Sequence, residues 1–140
     1  MRSPLHRLAG ALAGAGLVLA LPALADTPAD LLGVFDQQAR QADPGFRGFS
    51  AASGRELFRH PHGGEWSCAS CHTDDPAGSG KHAKTGKGIE PLAPAANPQR
   101  FSNAAKVEKW FRRNCNDVMG RECTPTEKAD VLAWLMTLKP

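Results

Sequence analysis

A five-residue run, Cys68-Ala69-Ser70-Cys71-His72, constrains this chain more than any other part of its sequence. The spacing Cys-x-x-Cys-His is the attachment site of a c-type haem. The two thiols lie three residues apart, so each can add to one of the two vinyl groups of the porphyrin. The imidazole that follows can bind the iron as proximal ligand. The run therefore predicts one covalent haem c, bound by Cys68 and Cys71 and ligated by His72.

The N-terminus has the features of a secretory signal peptide. Two arginines precede an apolar stretch (residues 8–20), and an Ala-x-Ala site (residues 23–25) follows it. The apolar stretch is shorter than the roughly 20 residues that a transmembrane helix needs. We therefore expect residues 1–25 to be removed by cleavage after Ala25, with residues 26–140 exported to the periplasm as one domain. A retained N-terminal anchor is the alternative.

The composition of the expected domain argues against nucleic-acid binding. The formal charge of +3 falls to +1 for residues 26–140, because two arginines belong to the leader. The sequence contains no Lys/Arg run interleaved with aromatic residues, which a nucleic-acid interface would require. It has no Tyr, six Phe and three Trp. A bound porphyrin would therefore supply much of the apolar volume of the core.

The two remaining cysteines, Cys115 and Cys123, are eight residues apart. In an oxidising compartment this spacing predicts a local disulfide. Closing a loop of about nine residues would stabilise the fold by about 2.5 kcal/mol. A zinc site made of all four cysteines is the competing interpretation, but it needs two closely spaced pairs, and these two cysteines do not form one. A thioredoxin-like redox site is disfavoured because no βαβ pattern surrounds the Cys-x-x-Cys run.

Helical patterns with clear start signals recur along the expected domain, and no convincing alternating strand appears. The sequence therefore predicts an all-α fold with long loops. Four helices are predicted: one that begins at Thr27-Pro28 and ends by residues 43–45, one over 53–58 with a capping box at its start, one over 103–113 capped by Ser102 or Asn103, and a last one that begins with the capping box 124–127.

The second predicted helix places Gly54 and Phe58 on one face, four residues apart. This spacing resembles the N-terminal helix of class I cytochromes c, in which the glycine lets the C-terminal helix cross closely. The resemblance implies class I cytochrome c-like helices wrapped around the haem. The loop over residues 74–100 is long for a compact domain unless it wraps such a group. Its basic residues are candidates to neutralise the haem propionates, although each could equally be solvated: Lys84, Lys87 and Arg100.

The side chain on the second face of the iron decides the function. A strong ligand there favours electron transfer, whereas a weak one allows small molecules to bind. Met119, 47 residues after His72, is the default by comparison with ordinary class I cytochromes. Two histidines precede the motif too closely to reach the opposite face, and the methionine of the last helix suits packing. The full set of candidates is Met119, Met136, His60, His62, His82 and Asn114.

Several short runs between residues 53 and 138 together resemble the SHP-type cytochromes c (sphaeroides haem protein), a small family of oxygen-binding haem proteins. The runs occur in this order: Thr85-Gly86-Lys87, Pro91-Leu92-Ala93-Pro94, Arg100-Phe101, Val107-Glu108-Lys109-Trp110, Arg113-Asn114-Cys115-Asn116, Gly120-Arg121-Glu122-Cys123-Thr124 and Glu127-Lys128-Ala129-Asp130.

The resemblance implies that Asn114 is the sixth ligand and that Cys115–Cys123 is the disulfide of the family. In that family the asparagine is displaced on reduction, which opens a site for O₂, NO or CO. A carboxamide oxygen is a hard, neutral donor that suits ferric better than ferrous iron, and the freed amide has N–H donors for a bound ligand. From the residues alone, Asn114 is instead favoured as a helix C-cap.

The resemblance also implies partners: a dihaem cytochrome c and a membrane b-type cytochrome as electron donors. It leaves open whether the protein is an enzyme that reduces O₂ or nitric oxide, or a carrier that only binds them. A His72/Met119-ligated electron-transfer cytochrome without substrate is the main alternative. A gas sensor is the weakest interpretation, because the chain has no second domain to receive a signal.

Overall fold

The structure is a computed structural model that describes residues 26–140, so the predicted signal peptide (1–25) lies outside the described residues. The described part is mainly helical, which confirms the predicted all-α class. A two-residue antiparallel ladder, Gly80 with Ile89 and Lys81 with Gly88, is too short to leave a periodic signal in the sequence. In chain order the elements are α1 (Pro28–Ala42), α2 (Ala51–Arg59), α3 (Ala69–His72), β1 (Gly80–Lys81), β2 (Gly88–Ile89), α4 (Ala104–Met119) and α5 (Pro125–Leu135).

The first and last helices begin where the sequence predicts. Thr27 accepts a hydrogen bond from the backbone N–H of Asp30, whose carboxylate accepts one in return from the N–H of Thr27. Thr124 and Glu127 form the same reciprocal pair at the start of α5. In both helices proline follows the cap, where its missing N–H costs no hydrogen bond. Capping chemistry thus fixes these two starts.

The predicted boundaries of α2 and α4 are wrong. The second helix begins at Ala51 because Ser50, rather than Ser53, is its cap: the Ser50 hydroxyl accepts the N–H of Ser53 at 3.2 Å. The fourth helix runs through Met119, six residues beyond its predicted end. It ends because Gly120 adopts the left-handed conformation (φ 67°), which glycine does at no steric cost.

The core forms where α2 crosses α5. A Cβ at position 54 would overlap the backbone carbonyl of Asp130, so only glycine allows this approach. Phe58, one turn later, is buried against Trp134 with ring centroids 4.9 Å apart. These contacts confirm the predicted close crossing at Gly54. The buried cluster comprises Leu31, Phe35, Phe58, Phe101, Val107, Ala129, Val131, Leu132, Trp134 and Leu135.

The fourth helix is tied to α5 and to the segment before it. Lys128 of α5 is buried, and its Nζ lies 2.5 Å from Glu108 of α4 and 5.7 Å from the centre of the Phe35 ring. A disulfide joins Cys115 of α4 to Cys123, just before α5. These two links hold α4 on either side of its middle turn. Within residues 26–140, no helix combines the length and apolarity that crossing a bilayer requires.

Candidate haem site

The haem-attachment motif forms a single helical turn, α3. Cys68 is its N-cap residue, and the N–H of His72 donates to the Cys68 carbonyl at 3.0 Å. Thr73 ends the turn with a φ of 64°, a backbone conformation that residues other than glycine rarely adopt. Neither Cys68 nor Cys71 is disulfide-bonded. One turn of helix therefore presents two reduced thiols and one imidazole together.

The surroundings of His72 keep its imidazole neutral. Its ring lies 6.1 Å from that of Phe58, the residue that packs on Trp134. Burial, and then the positive charge of Arg100, lower the pKa of His72 to about 4. A neutral imidazole has the free lone pair that binding to iron requires. Before a haem is attached, burial likewise raises the pKa of the Cys68 thiol to about 11.

The loop that follows the motif folds back onto it. We call residues 80–89, the two strands and their connection, the motif hairpin. A Cβ at Gly80 would overlap the Cys71 carbonyl oxygen, so the hairpin backbone lies directly against the motif. The N–H of Ala83 donates to Cys71 Sγ at 3.3 Å. These contacts were not predicted, since a glycine at a close approach has no signature that separates it from a glycine in a loop.

The three basic residues proposed for the propionates occupy different environments. Arg100 is half-buried, and its guanidinium donates to the carbonyls of Pro91 at 3.0 Å and Glu90 at 3.1 Å. Lys84 is exposed, with its ammonium 4.8 Å from the centre of the Trp66 ring. Lys87 is exposed in the motif hairpin. Of the three, only Arg100 is held by backbone carbonyls and also lies close enough to lower the pKa of His72.

The donor set fits a covalent haem c. Two free thiols and a neutral imidazole share one turn, and Phe58 supplies an aromatic surface beside the imidazole. Zinc has no comparable set, because Cys115 and Cys123 are joined to each other. Across the described residues, no group of three or more His, Cys, Asp or Glu side chains could hold a metal ion.

The three histidines proposed as sixth ligands make local hydrogen bonds instead. His62 Nε2 lies 2.7 Å from the carbonyl oxygen of Leu57. His60 Nδ1 lies 3.0 Å from the carbonyl oxygen of its own helix at residue 56. His82 accepts the N–H of Thr85 on its Nδ1 at 3.3 Å. Each ring nitrogen in these bonds is already engaged by the adjoining segment.

The two methionine candidates lie in different surroundings. Met119 is the last residue of α4, within the loop that the Cys115–Cys123 disulfide closes, and its Sδ lies 3.6 Å from Cys123 Sγ. It lines a cleft with His62 and the glycines at 63 and 64. The prediction that Met136 packs in the core is wrong, because Met136 is the C-cap of α5 and is 39% exposed.

Asn114 lies inside α4, so the prediction that it caps a helix end is wrong; Gly120 has that role. Its side chain is exposed and makes no hydrogen bond within residues 26–140. Two residues on, Asn116 differs, because its Nδ2 donates to the Arg112 carbonyl at 2.8 Å. The chain therefore holds two asparagines of the same helix, one free and one engaged.

Asn114 shares a face of α4 with Asp117, which lies three residues later. Asp117, one turn further along that face, lines a cleft together with Trp66, which lies two residues before Cys68. Trp110, one turn before Asn114, is 43% exposed, with the Arg113 guanidinium 5.6 Å from its ring centre. Val107, three residues before Trp110, is by contrast buried.

Comparison with known proteins agrees with this description. Residues 44–135 match a family described as a domain of unknown function, DUF1924. The chain is 50% identical over 125 residues to the cytochrome c-type protein SHP of Cereibacter sphaeroides, covering 84% of this chain and 91% of that one. It is 42% identical over 128 residues to cytochrome c'' of Methylophilus methylotrophus, covering 87% and 89%. The chain belongs to the SHP-type cytochromes c.

A solved structure of this family shares the fold of the chain. Oxidized SHP, described as an oxygen binding cytochrome c, superposes with a TM-score of 0.72 at 43% identity, over 81% of this chain and 99% of that one. This agreement confirms the predicted class I-like helical cytochrome fold. As an SHP-type cytochrome c, the chain carries one covalently bound haem c.

Proposed function

We propose that this protein is an exported cytochrome c in which His72 and Asn114 bind the ferric iron. On reduction Asn114 dissociates from the iron, and O₂, NO or CO binds in its place. Electron transfer is thereby coupled to binding or reduction of a small ligand. The family supports the general kind of protein, since its member SHP is described as oxygen binding. The arrangement around Asn114 supports the ligand set.

Cys68 and Cys71 would hold the porphyrin through thioether bonds. His72, the last residue of α3, would bind the iron. The bound haem supplies an iron that changes valence and accepts a diatomic ligand. The protein's part is to keep His72 neutral, which burial among Phe58 and its neighbours does. The positive charge of Arg100 lowers the pKa of His72, and of the three basic candidates this residue is the best placed to form an ion pair with a haem propionate.

One observation carries the assignment of Asn114. Its carboxamide is exposed and free of protein hydrogen bonds within residues 26–140, and it lies one turn before Asp117, which lines a cleft with Trp66 near the motif. The competing histidines are engaged locally. A free carboxamide needs to break no hydrogen bond in order to bind a metal. Each of the three histidines would have to use its second ring nitrogen, from a ring that its first nitrogen already ties to the adjoining segment.

The side chain, rather than the helix, would move when Asn114 lets go. The disulfide at the next residue and the Lys128–Glu108 pair hold α4 against its neighbours on both sides of Asn114. Rotation about the Asn114 side-chain bonds leaves those links intact. Its amide N–H groups would then remain within the pocket as donors to a bound diatomic ligand.

Optical spectra of the oxidised, reduced and CO-treated protein test this ligand set. For Asn114→Ala we expect loss of the six-coordinate ferric spectrum, with CO binding to the ferrous protein retained. Asn116→Ala is the matched control, since it removes an asparagine of the same helix that is already hydrogen-bonded. Identical ferric spectra for wild type and Asn114→Ala would remove Asn114 from the iron.

A His72/Met119-ligated electron carrier is the second candidate, favoured by the position of Met119 in the cleft beside His62. A methionine-to-iron charge-transfer band at the red end of the ferric spectrum, lost in Met119→Leu, would establish it. Wild-type protein without that band, and a Met119→Leu variant with an unchanged spectrum, would eliminate it.

Export and the electron donors complete the proposal. We expect a mature N-terminus at Asp26, after cleavage of residues 1–25, in a periplasmic fraction; mass spectrometry of the secreted protein reads this directly. A dihaem cytochrome c and a membrane b-type cytochrome would supply electrons. Catalytic turnover of O₂ or NO would appear as ligand consumption that is sustained by a reductant and absent from protein that lacks haem.

A further inference from the structure

We propose that the motif hairpin, residues 80–89, is the surface on which an electron-donor protein docks, and that its partner presents an acidic face. Electrons would enter on the Cys71 side of the haem. The proposal uses the covalent haem but not the identity of the sixth ligand, so it stands or falls separately from the assignment of Asn114.

The charge of the motif hairpin is concentrated and of one sign. It holds three exposed lysines, Lys81, Lys84 and Lys87, and no acidic residue. Its formal charge is therefore +3, whereas residues 26–140 together carry only +1, so the remainder carries −2. Such a local patch orients an oppositely charged partner during encounter and raises the association rate.

The hairpin lies directly on the haem-attachment motif. Its Ala83 N–H donates to Cys71 Sγ, the sulfur that would form a thioether bond, and Gly80 lies against the Cys71 carbonyl. A protein that contacts the lysines of this hairpin is therefore within one hydrogen bond of a group bonded to the porphyrin. In the described part of the chain, no other surface with several unpaired lysines contacts a motif cysteine.

The three lysines are free to meet a partner. None of them belongs to an ion pair within residues 26–140; the pairs found there involve other basic residues. Lys84 lies over Trp66 and lines one cleft with Glu65 and Asp117, so these two acidic residues mark the border of the patch at this lysine.

A protein suits this surface better than a membrane. Recognition of anionic lipids typically uses four to eight clustered basic residues next to an amphipathic or apolar anchor. The hairpin has three lysines, and its single large apolar residue, Ile89, is half-buried. Dispersed lysines around the proposed electron-entry point match the rim charges that steer association between proteins.

The first experiment measures how the charge of the motif hairpin affects the rate of electron transfer. Lys81, Lys84 and Lys87 are changed together to Gln, and a control changes Lys106, Lys109 and Lys139 to Gln, so both variants lose three charges from exposed sites. Anaerobic stopped-flow oxidation of the ferrous protein uses ferricyanide, an anion, and tris(phenanthroline)cobalt(III), a cation. At low salt we expect the hairpin variant to react about fivefold more slowly with ferricyanide and faster with the cobalt complex.

The control should stay within about twofold of wild type, and the differences should vanish near 1 M salt, where the Debye length is about 3 Å. Equal rate changes in the two variants would overturn the proposal, because they would show that net charge rather than the hairpin matters. Unchanged rates in the hairpin variant would overturn it as well. Neither outcome depends on which residue is the sixth ligand.

The second experiment detects docking itself. A glutamate-rich peptide is titrated into the ¹⁵N-labelled holoprotein, with anionic phosphatidylglycerol vesicles as a separate arm. We expect the largest amide shifts at residues 80–89, including Ala83, and at least a fivefold weaker titration for the hairpin variant. Binding to vesicles but not to the peptide would overturn the assignment to a protein partner. Shifts elsewhere, unchanged in the hairpin variant, would overturn the surface.

Discussion

Two regions of this cytochrome differ in how tightly they are packed. Where α2 crosses α5, Gly54 lies against the Asp130 carbonyl and the rings of Phe58 and Trp134 are buried. On α4, Asn114 is exposed and free of hydrogen bonds within the described residues. The first region fixes the position of His72 through Phe58. The second leaves a side chain free to change its partner.

This difference separates stability from ligand chemistry. Substitutions at the crossing should unfold the protein before they alter its spectrum. Substitutions on the open face of α4 should alter the spectrum at little cost in stability. A core position tolerates few side chains because its neighbours cannot move apart, whereas an exposed position usually changes stability by less than about 0.5 kcal/mol.

The largest effect is expected for Gly54→Ala. The new Cβ would overlap the Asp130 backbone, which cannot rotate away, so we expect a loss of about 3 kcal/mol in the free energy of unfolding, as overpacking of a core produces. Gly33→Ala on α1 is the matched control. A Cβ there meets no atom within 4 Å, and alanine should stabilise the helix by up to about 1 kcal/mol. Equal losses in urea denaturation for the two variants would contradict the close crossing.

Removing the disulfide tests whether α4 needs its covalent anchor. We expect the double variant Cys115→Ser/Cys123→Ser to lose about 2.5 kcal/mol, the entropy of a nine-residue loop. The released α4 should also alter the CO affinity of the ferrous protein, because Asn114 lies next to Cys115. An unchanged CO affinity would show that the disulfide does not limit the movement of Asn114.

The Arg121–Glu127 pair should contribute less. Two Arg121 nitrogens donate to the Glu127 carboxylate at 2.7 and 2.8 Å, and this hydrogen bonding lowers the pKa of Glu127 below its ordinary value of 4.5. A lowered folded pKa means that the contribution is present above pH 4.5 and is lost as the pH falls through the folded value. We expect Arg121→Gln to cost no more than about 1 kcal/mol at pH 7.

Urea denaturation at pH 7 and again near pH 3 measures this dependence, and the deficit of Arg121→Gln should shrink at the lower pH. Arg112→Gln serves as control, since Arg112 is exposed and forms no ion pair in the described part of the chain. A deficit that is the same at both pH values would show that the pair does not depend on ionised Glu127.

The smallest stability effect is expected for Asn114→Ala, within about 0.5 kcal/mol in the ferrous protein, where the carboxamide holds no iron. In the ferric protein the loss should be larger, because a bond to the iron is missing. Chemical denaturation of both oxidation states gives the comparison. Equal losses in the two states would place Asn114 outside the iron's coordination.

The sequence predicted the packed region better than the open one. Threonine caps followed by proline, and glycine four residues before phenylalanine, have local physical causes that a sequence displays. The end of α4 was missed because Asn114, Asn116 and Asp117 are poor helix formers, yet the helix continues to the glycine at 120. The signal for the true end was that glycine, which takes the left-handed conformation.

Contacts across long separations in the chain explain the other errors. The early start of α2 accompanies a hydrogen bond from the N–H of Ser50 to the Asp130 carboxylate at 2.6 Å, between residues 80 positions apart. The contact of Ala83 with Cys71 depends on a turn whose strands are two residues long. Neither has a periodic pattern, so neither could be predicted before the helices were placed.

The central claim is that Asn114 holds the ferric iron and leaves on reduction. Rapid photoreduction of the ferric protein under increasing CO pressure tests it most directly. The rate of CO binding in wild type should level off at a constant value, the rate at which Asn114 lets go, whereas in Asn114→Ala it should rise in proportion to CO throughout. Proportional rates in both proteins, or a plateau that persists in Asn114→Ala, would contradict the account.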